Sequence, residues 1–145
     1  MTMPLFSEAK GRGVVSLDAA ETVATVTGCA IAPSPARIAA LRVKTRVRGT
    51  LVTWDHLQAF GSDAVTVRSA GDIQTEDDAK ILADKHHDPV GKRVLTETGH
   101  ELGTVDDLEF DEATGHIRRI ITAGQDISGD RLLGVGTYAV VVADR

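Results

Sequence analysis

Apolar and polar positions alternate along most of this chain. In "LGTVDDLEF" (102–110) apolar residues interleave with charges, "DEATG" supplies a turn, and "HIRRIIT" returns as a second alternating run. A period of two predicts β-strands rather than helix, and Gly115 offers the positive φ that a hairpin turn needs. "RLLGVG" and "AVVVAD" come next as two more short strands. Strands this short, separated by Gly and Asp turns, predict a small barrel or sandwich. Two stretches break the pattern. In "TWDHLQAF" (53–60) Thr53 can cap a helix and Asp55 suits its first turn. Trp54, Leu57 and Phe60 then recur at i, i+3, i+6, predicting a short helix with those three in the core. In "TEDDAKILADKHHDP" (75–89) Thr75 and Asp78 approximate a capping box and Pro89 stops the run, predicting a short linking helix.

The pattern is written twice. "GSDAVTV" (61–67) returns as "GTYAVVV" (136–142). Upstream, Gly11 corresponds to Gly91, Val14 to Val94 and Glu21 to Glu101. After a one-residue slip, Thr25-Val26 corresponds to Thr104-Val105, Ile31 to Phe110, Ile38 to Ile117 and Leu41 to Ile120. The expected organisation is a first copy at 1–74, a helical linker at 75–89 and a second copy at 90–145. The copies are expected to differ most at 53–60, which the second shortens to "GVG". A copy of this size buries only about 60% of its unfolded surface, so the two are expected to pack as one pseudo-two-fold unit. Each closing heptapeptide reads as a turn entered at Gly61 or Gly136 and a strand whose valines seal the core.

Composition narrows the class. The 145 residues are 42% hydrophobic and 26% charged, a globular mixture with only five aromatic side chains besides histidine. No apolar run reaches the roughly 20 residues of a membrane span, and the first residues lack the basic and apolar regions of a secretory signal. Cys29 has no disulfide partner and reads as a reduced, small core residue, so the expected compartment is the cytoplasm. The net charge of −5 divides into +2 over residues 1–75 and −7 over residues 76–145. Such opposition, with exposed barrel edges, would suit a homodimer.

"VGKRVLTETGHELGTVDDLEFDEATGHIRRIIT" together with the later "RLLGVGTYAVVVAD" resembles a PRC-barrel domain, and the first copy shares the ending "VTWDHLQAFGSDAVTV". The resemblance implies an all-β protein of two small PRC-barrel-like β-barrel repeats with short helices. The family includes the cytoplasmic domain of the photosynthetic reaction-centre H subunit and the C-terminal domain of a ribosome maturation factor. The first copy departs from the pattern where Ala19 and Ala36 replace Gly99 and Gly115, and where "APSPAR" replaces the hairpin tip. The family shares a scaffold and no common chemistry.

Candidate chemistry is sparse. "GVGTYA" (134–139) satisfies a loose dinucleotide fingerprint, but it leads into a strand where a helix is required. His100 and His116 sit at opposite ends of the predicted hairpin, and His86-His87-Asp88 is a linker cluster, so no zinc set is expected. The acids Asp106, Asp107, Glu109, Asp111 and Glu112 lack calcium-loop spacing and read as a strand face and its turn. No nucleophile stands beside a base. The expectation is therefore a non-enzymatic scaffold or interaction module without cofactor, catalytic residue or metal, whose partner is another protein. The resemblance adds two alternatives, an adaptor in RNA metabolism or ribosome assembly and an accessory subunit docking to a membrane or photosynthetic complex. The one candidate docking feature is "RVKTRVR" (42–48), where Arg42, Lys44, Arg46 and Arg48 fall on one side of a strand and the valines on the other. Four cations without an interleaved aromatic do not favour nucleic acid.

Overall fold

A computed structural model of the chain describes residues 3–45, 49–75 and 88–144. The fold is all-β, with curled sheets, and among the described residues helical structure takes the form of single 3-10 turns. The linker helix expected at 75–89 lies almost wholly outside the described residues. The first half contributes β1 (Gly13–Ser16), β2 (Glu21–Ala32), β3 (Arg37–Thr45), β4 (Leu51–Thr53), β5 (Leu57–Phe60) and β6 (Ala64–Val67). They form one six-stranded sheet in the order β4-β3-β2-β1-β6-β5. The second half contributes β7 (Arg93–Thr96), β8 (Glu101–Thr104), β9 (Asp107–Phe110), β10 (Ile117–Ile121), β11 (Asp126–Ser128), β12 (Leu132–Val135) and β13 (Ala139–Val142). These pair in the same order, divided into sheets β11-β10-β9 and β12-β13-β7-β8.

The division has a local cause. β2 runs unbroken through a register shift between Val26 and Gly28, so Thr27 bulges. At the corresponding place the second half breaks into β8 and β9 around Val105 and Asp106. "LGTVDDLEF" is therefore two strands rather than one. Both halves keep the parallel closure typical of neither a hairpin nor a meander: β1 pairs with β6, and β7 with β13. The closing heptapeptides do as their sequences suggest. Gly61 and Gly136 each donate to the residue that starts the last strand, Ala64 and Ala139, and Val65, Val67, Val140 and Val142 are fully buried.

Two expectations about residues 53–60 are corrected. The segment is a 3-10 turn, Trp54–His56, leading into β5, not a helix. A 3-10 turn has three residues per turn, so its spacing imitates the i, i+3 part of a helical stripe. Phe60 is buried, while Trp54 and Leu57 pack half-buried against the core. Nor is the second copy shortened. Gly129–Arg131 forms the same turn and β12 the same strand, so "SGDRLLGV" corresponds to "TWDHLQAF". The first-copy turns also differ from their glycine counterparts. The positive φ falls on Ala20 and Ser34, not on Ala19 or Ala36, and the Ser34–Pro35 peptide is cis.

One hydrophobic core runs through both halves, from Phe6 and Val14 to Val140 and Val142. At its centre Phe110 meets Phe60 edge-on at 5.3 Å, Trp54 at 6.1 Å and Phe6 at 6.4 Å between ring centroids. Trp54 also stacks on Phe60 at 5.7 Å. Gly115 is required beneath it, because a Cβ there would stand 2.9 Å from the indole. The halves join directly where β3 and β10 begin: Ile38 N–H donates to Gly115 O, and Ile117 N–H to Ala36 O. They also exchange their leading segments. Phe110 N–H donates to Pro4 O, and Ser7 N–H donates to the Asp107 carboxylate at 2.9 Å. In return, Asp88 at the head of the second half inserts against Gly28 of β2.

Candidate functional site

The basic strand 42–48 is not an uninterrupted docking stripe. Arg42 turns its guanidinium to the buried carboxylate of Asp88, 3.0 Å away, and to Thr27 O at 3.3 Å. Gly28 makes this possible, since any side chain there would overlap both Asp88 and Arg42. Asp88 in turn accepts from Val90 N–H at 3.0 Å and so fixes the start of the second half. Lys44 is exposed beside a cleft of about 670 Å³ that Glu21, Thr22, Thr25 and Thr45 also line. Arg46 and Arg48 lie outside the described residues. Arg42 is thus an internal strut, half-buried and already neutralised.

The other polar candidates serve the fold. Cys29 is buried on β2 opposite Leu41 of β3, and burial, reinforced by the Asp88 charge, pushes its thiol well up. A protonated thiol in that position is a poor nucleophile. His56 Nδ1 lies 2.6 Å from Thr53 Oγ1. His100 and His116 contribute backbone groups to their turns, while His86 and His87 lie outside the described residues. Among the described residues no three His, Cys, Asp or Glu side chains converge on one point. Of the acids in 106–112, Asp107 holds Ser7, and Asp111 accepts from Ala113 N–H at 2.8 Å. Glu109 joins a cross-strand network in which Arg119 reaches it at 2.6 Å and Asp126 at 2.5 Å. The Arg119 hydrogen bond holds the Glu109 carboxyl below the usual carboxylate range.

The feature that stands out from its counterpart is the outer face of the sheet β12-β13-β7-β8. Inward positions Leu132, Val142, Val140, Val94 and Thr96 are buried. Register then puts Val141 beside Leu95 on the outside, with Leu133 next to them at the β12 bulge. Leu133 is 48% exposed and Tyr138 65% exposed, unusually open for large apolar side chains. Tyr138 lies over the Arg93 guanidinium at 4.9 Å, its hydroxyl bonded to Arg93 Nη1, and Arg93 pairs with Glu101 at 2.5 Å. The result is a small apolar centre, Leu133, Val141 and Leu95, edged by Tyr138, Arg93 and Glu101. The corresponding first-half residues are Gln58, Thr66, Val15, Asp63, Gly13 and Glu21. Sequence reasoning passed over this face because it read the heptapeptides for likeness. The signal lay in their differences, Asp63 against Tyr138 and Gln58 against Leu133.

Residues 83–145 match the model of one protein family, described as the PRC-barrel domain. Comparison with curated proteins gives no match. No helix among the described residues is long and apolar enough to cross a membrane.

Proposed function

From the premise that residues 83–145 of this chain match the PRC-barrel domain, we propose that the protein is a non-enzymatic interaction module, working in the cytoplasm, that docks another protein on the outer face of β12-β13-β7-β8. The observation that carries this reading is the exposure of Leu133 and Tyr138 where the otherwise parallel first half has Gln58 and Asp63. An apolar centre with a polar rim is the composition of a protein-binding patch. Arg93 and Glu101 on that rim ask for a partner with an apolar anchor flanked by charges of both signs. Tyr and Arg are also the residue types most often found to dominate binding energy.

The alternative of an RNA-assembly adaptor drew on the family resemblance, and of the four cations at 42–48 that a phosphate backbone would meet, the Arg42–Asp88 ion pair occupies one. Exchange of residues between the halves tests the main reading. The double variant Leu133→Gln, Tyr138→Asp installs the first-half residues on the second-half face. It should keep the wild-type melting temperature within a few degrees and lose the partner that wild-type protein retains from native lysate. Lys44→Glu should leave that partner bound. Retention by the double variant, or RNA binding that falls steeply with salt, would displace the proposal.

A further inference from the structure

Beyond that face, we propose that the outer edge of β11 accepts an extended segment of a partner protein by antiparallel strand addition. The template is inside the molecule. In the first half Gln74 forms an antiparallel bridge to Leu51 on the outer edge of β4. Gln74 N–H donates to Leu51 O at 2.7 Å, and Thr50 and Leu51 N–H donate to Gln74 O at 2.9 and 3.2 Å. Thr53 Oγ1 donates to Gln74 Oε1 at 3.2 Å. The preceding Ile73 is buried, its Cγ2 standing 2.8 Å from where a Cβ on Gly49 would be. Backbone pairing and one apolar anchor together complete that edge.

The second half has the same receptor, without a guest among the described residues. Asp126 and Ser128 correspond to Leu51 and Thr53, since Asp126 pairs with Ile121 and Ser128 with Arg119 as Leu51 pairs with Arg42 and Thr53 with Ala40. Thr122 N–H donates to Gln125 O, so Gln125 and Ile127 face β10 and the peptide groups of Asp126 and Ser128 point away from it. β11 ends its sheet, and among the described residues nothing pairs with its outer side. Both residues are exposed, and Gly124, at the place corresponding to Gly49, has nothing within 4 Å of its Cβ position. An unpaired strand edge is a template for another chain.

Charge selects the guest. Asp126, which shares the cation of Arg119 with Glu109, and Asp130 border the edge and leave it net acidic. Two β11 strands pairing about a two-fold axis would set these acids beside their own copies, which disfavours a second molecule of this chain. The chemistry fits an extended segment with an apolar residue followed by a basic residue, which the template register sets opposite Asp126 and on its face.

The probe is a capped peptide copying residues 69–75 (SAGDIQT), titrated into the full chain while backbone amide resonances are recorded. Expected are saturable shifts at Asp126, Ile127 and Ser128 and slowed exchange of the Asp126 amide. Replacing Gln74 of the peptide by Lys, which sets a cation opposite Asp126, should tighten binding, and Gln74→Pro in the peptide, which removes its donor, should weaken it about tenfold. Asp126→Pro in the protein removes the outward N–H and should abolish the shifts. An Asp126→Asn protein, which keeps that N–H, should still bind the unmodified peptide. Shifts confined to Leu51 and its neighbours would mean displacement of the native segment and would overturn the proposal, as would equal binding of the Pro peptide. Concentration-dependent shifts at β11 without peptide would assign the edge to a second copy and overturn it too.

Discussion

The same three outward positions are built in opposite ways in the two halves. On β2, β3 and β4 they hold Ala30, Ala40 and Leu51, which are 4%, 0% and 0% exposed and form a small second core. On β9, β10 and β11 they hold Glu109, Arg119 and Asp126, an exposed ionic network. Register is identical, with Ala30 opposite Ala40 and Glu109 opposite Arg119. The backbone ladder therefore does not dictate what its outer face does. Whether that face is covered decides it, and the side chains are chosen accordingly.

Exchanging one residue should break the comparison most sharply. Leu51→Asp copies the second half into the first and buries a carboxylate beside Arg42, whose guanidinium already holds Asp88, so it should cost about 4 kcal/mol or more and prevent cooperative folding. The reverse change, Asp126→Leu, should move the urea midpoint little. Next in size, Trp54→Ala empties the space over Gly115 and strips a ring from Phe60 and Phe110. A loss of about 3 kcal/mol is expected by urea unfolding. Asp88→Asn leaves Arg42 half-buried without its counter-charge and should cost about 2 kcal/mol, read the same way. Arg42→Glu should likewise act on stability, which makes it unsuitable as a probe of docking.

The smallest effect is in pH. The Glu109 carboxyl lies below its ordinary value because Arg119 hydrogen-bonds its charged form. Its contribution is complete above the unfolded pKa of about 4.3 and is lost as pH falls through the lower folded value. Glu109→Gln should slightly flatten the acid limb of a stability profile and leave neutral stability nearly unchanged, since exposed pairs contribute little. No counterpart exists at Ala30, so Ala30→Gln should not reproduce it.

Alternation and turn glycines carried much of the architecture in plain view. Val65, Val67, Val140 and Val142 sit at every second position and are all buried, which is the period-two reading made physical. The failure at 53–60 arose because a 3-10 turn and a helix share their first spacing. The two are separated only by the pairing of Leu57–Phe60 with β6, a contact made outside the turn itself. The Arg42–Asp88 pair was hidden for a different reason. It depends on a space over Gly28 between groups 46 residues apart, and no local pattern encodes such a space. The Leu133–Tyr138 face was visible in principle, as departures of one copy from the other.

The exchanged leading segments have a consequence for synthesis. Ser7 and the carboxylate that holds it are 100 residues apart, and Phe6 is buried against Phe110 beyond it. On a ribosome adding about 5–20 residues per second, that leading turn must wait roughly 5–20 s for its seat to emerge. Throughout that interval the turn around Phe6 is an apolar, unanchored segment of the nascent chain.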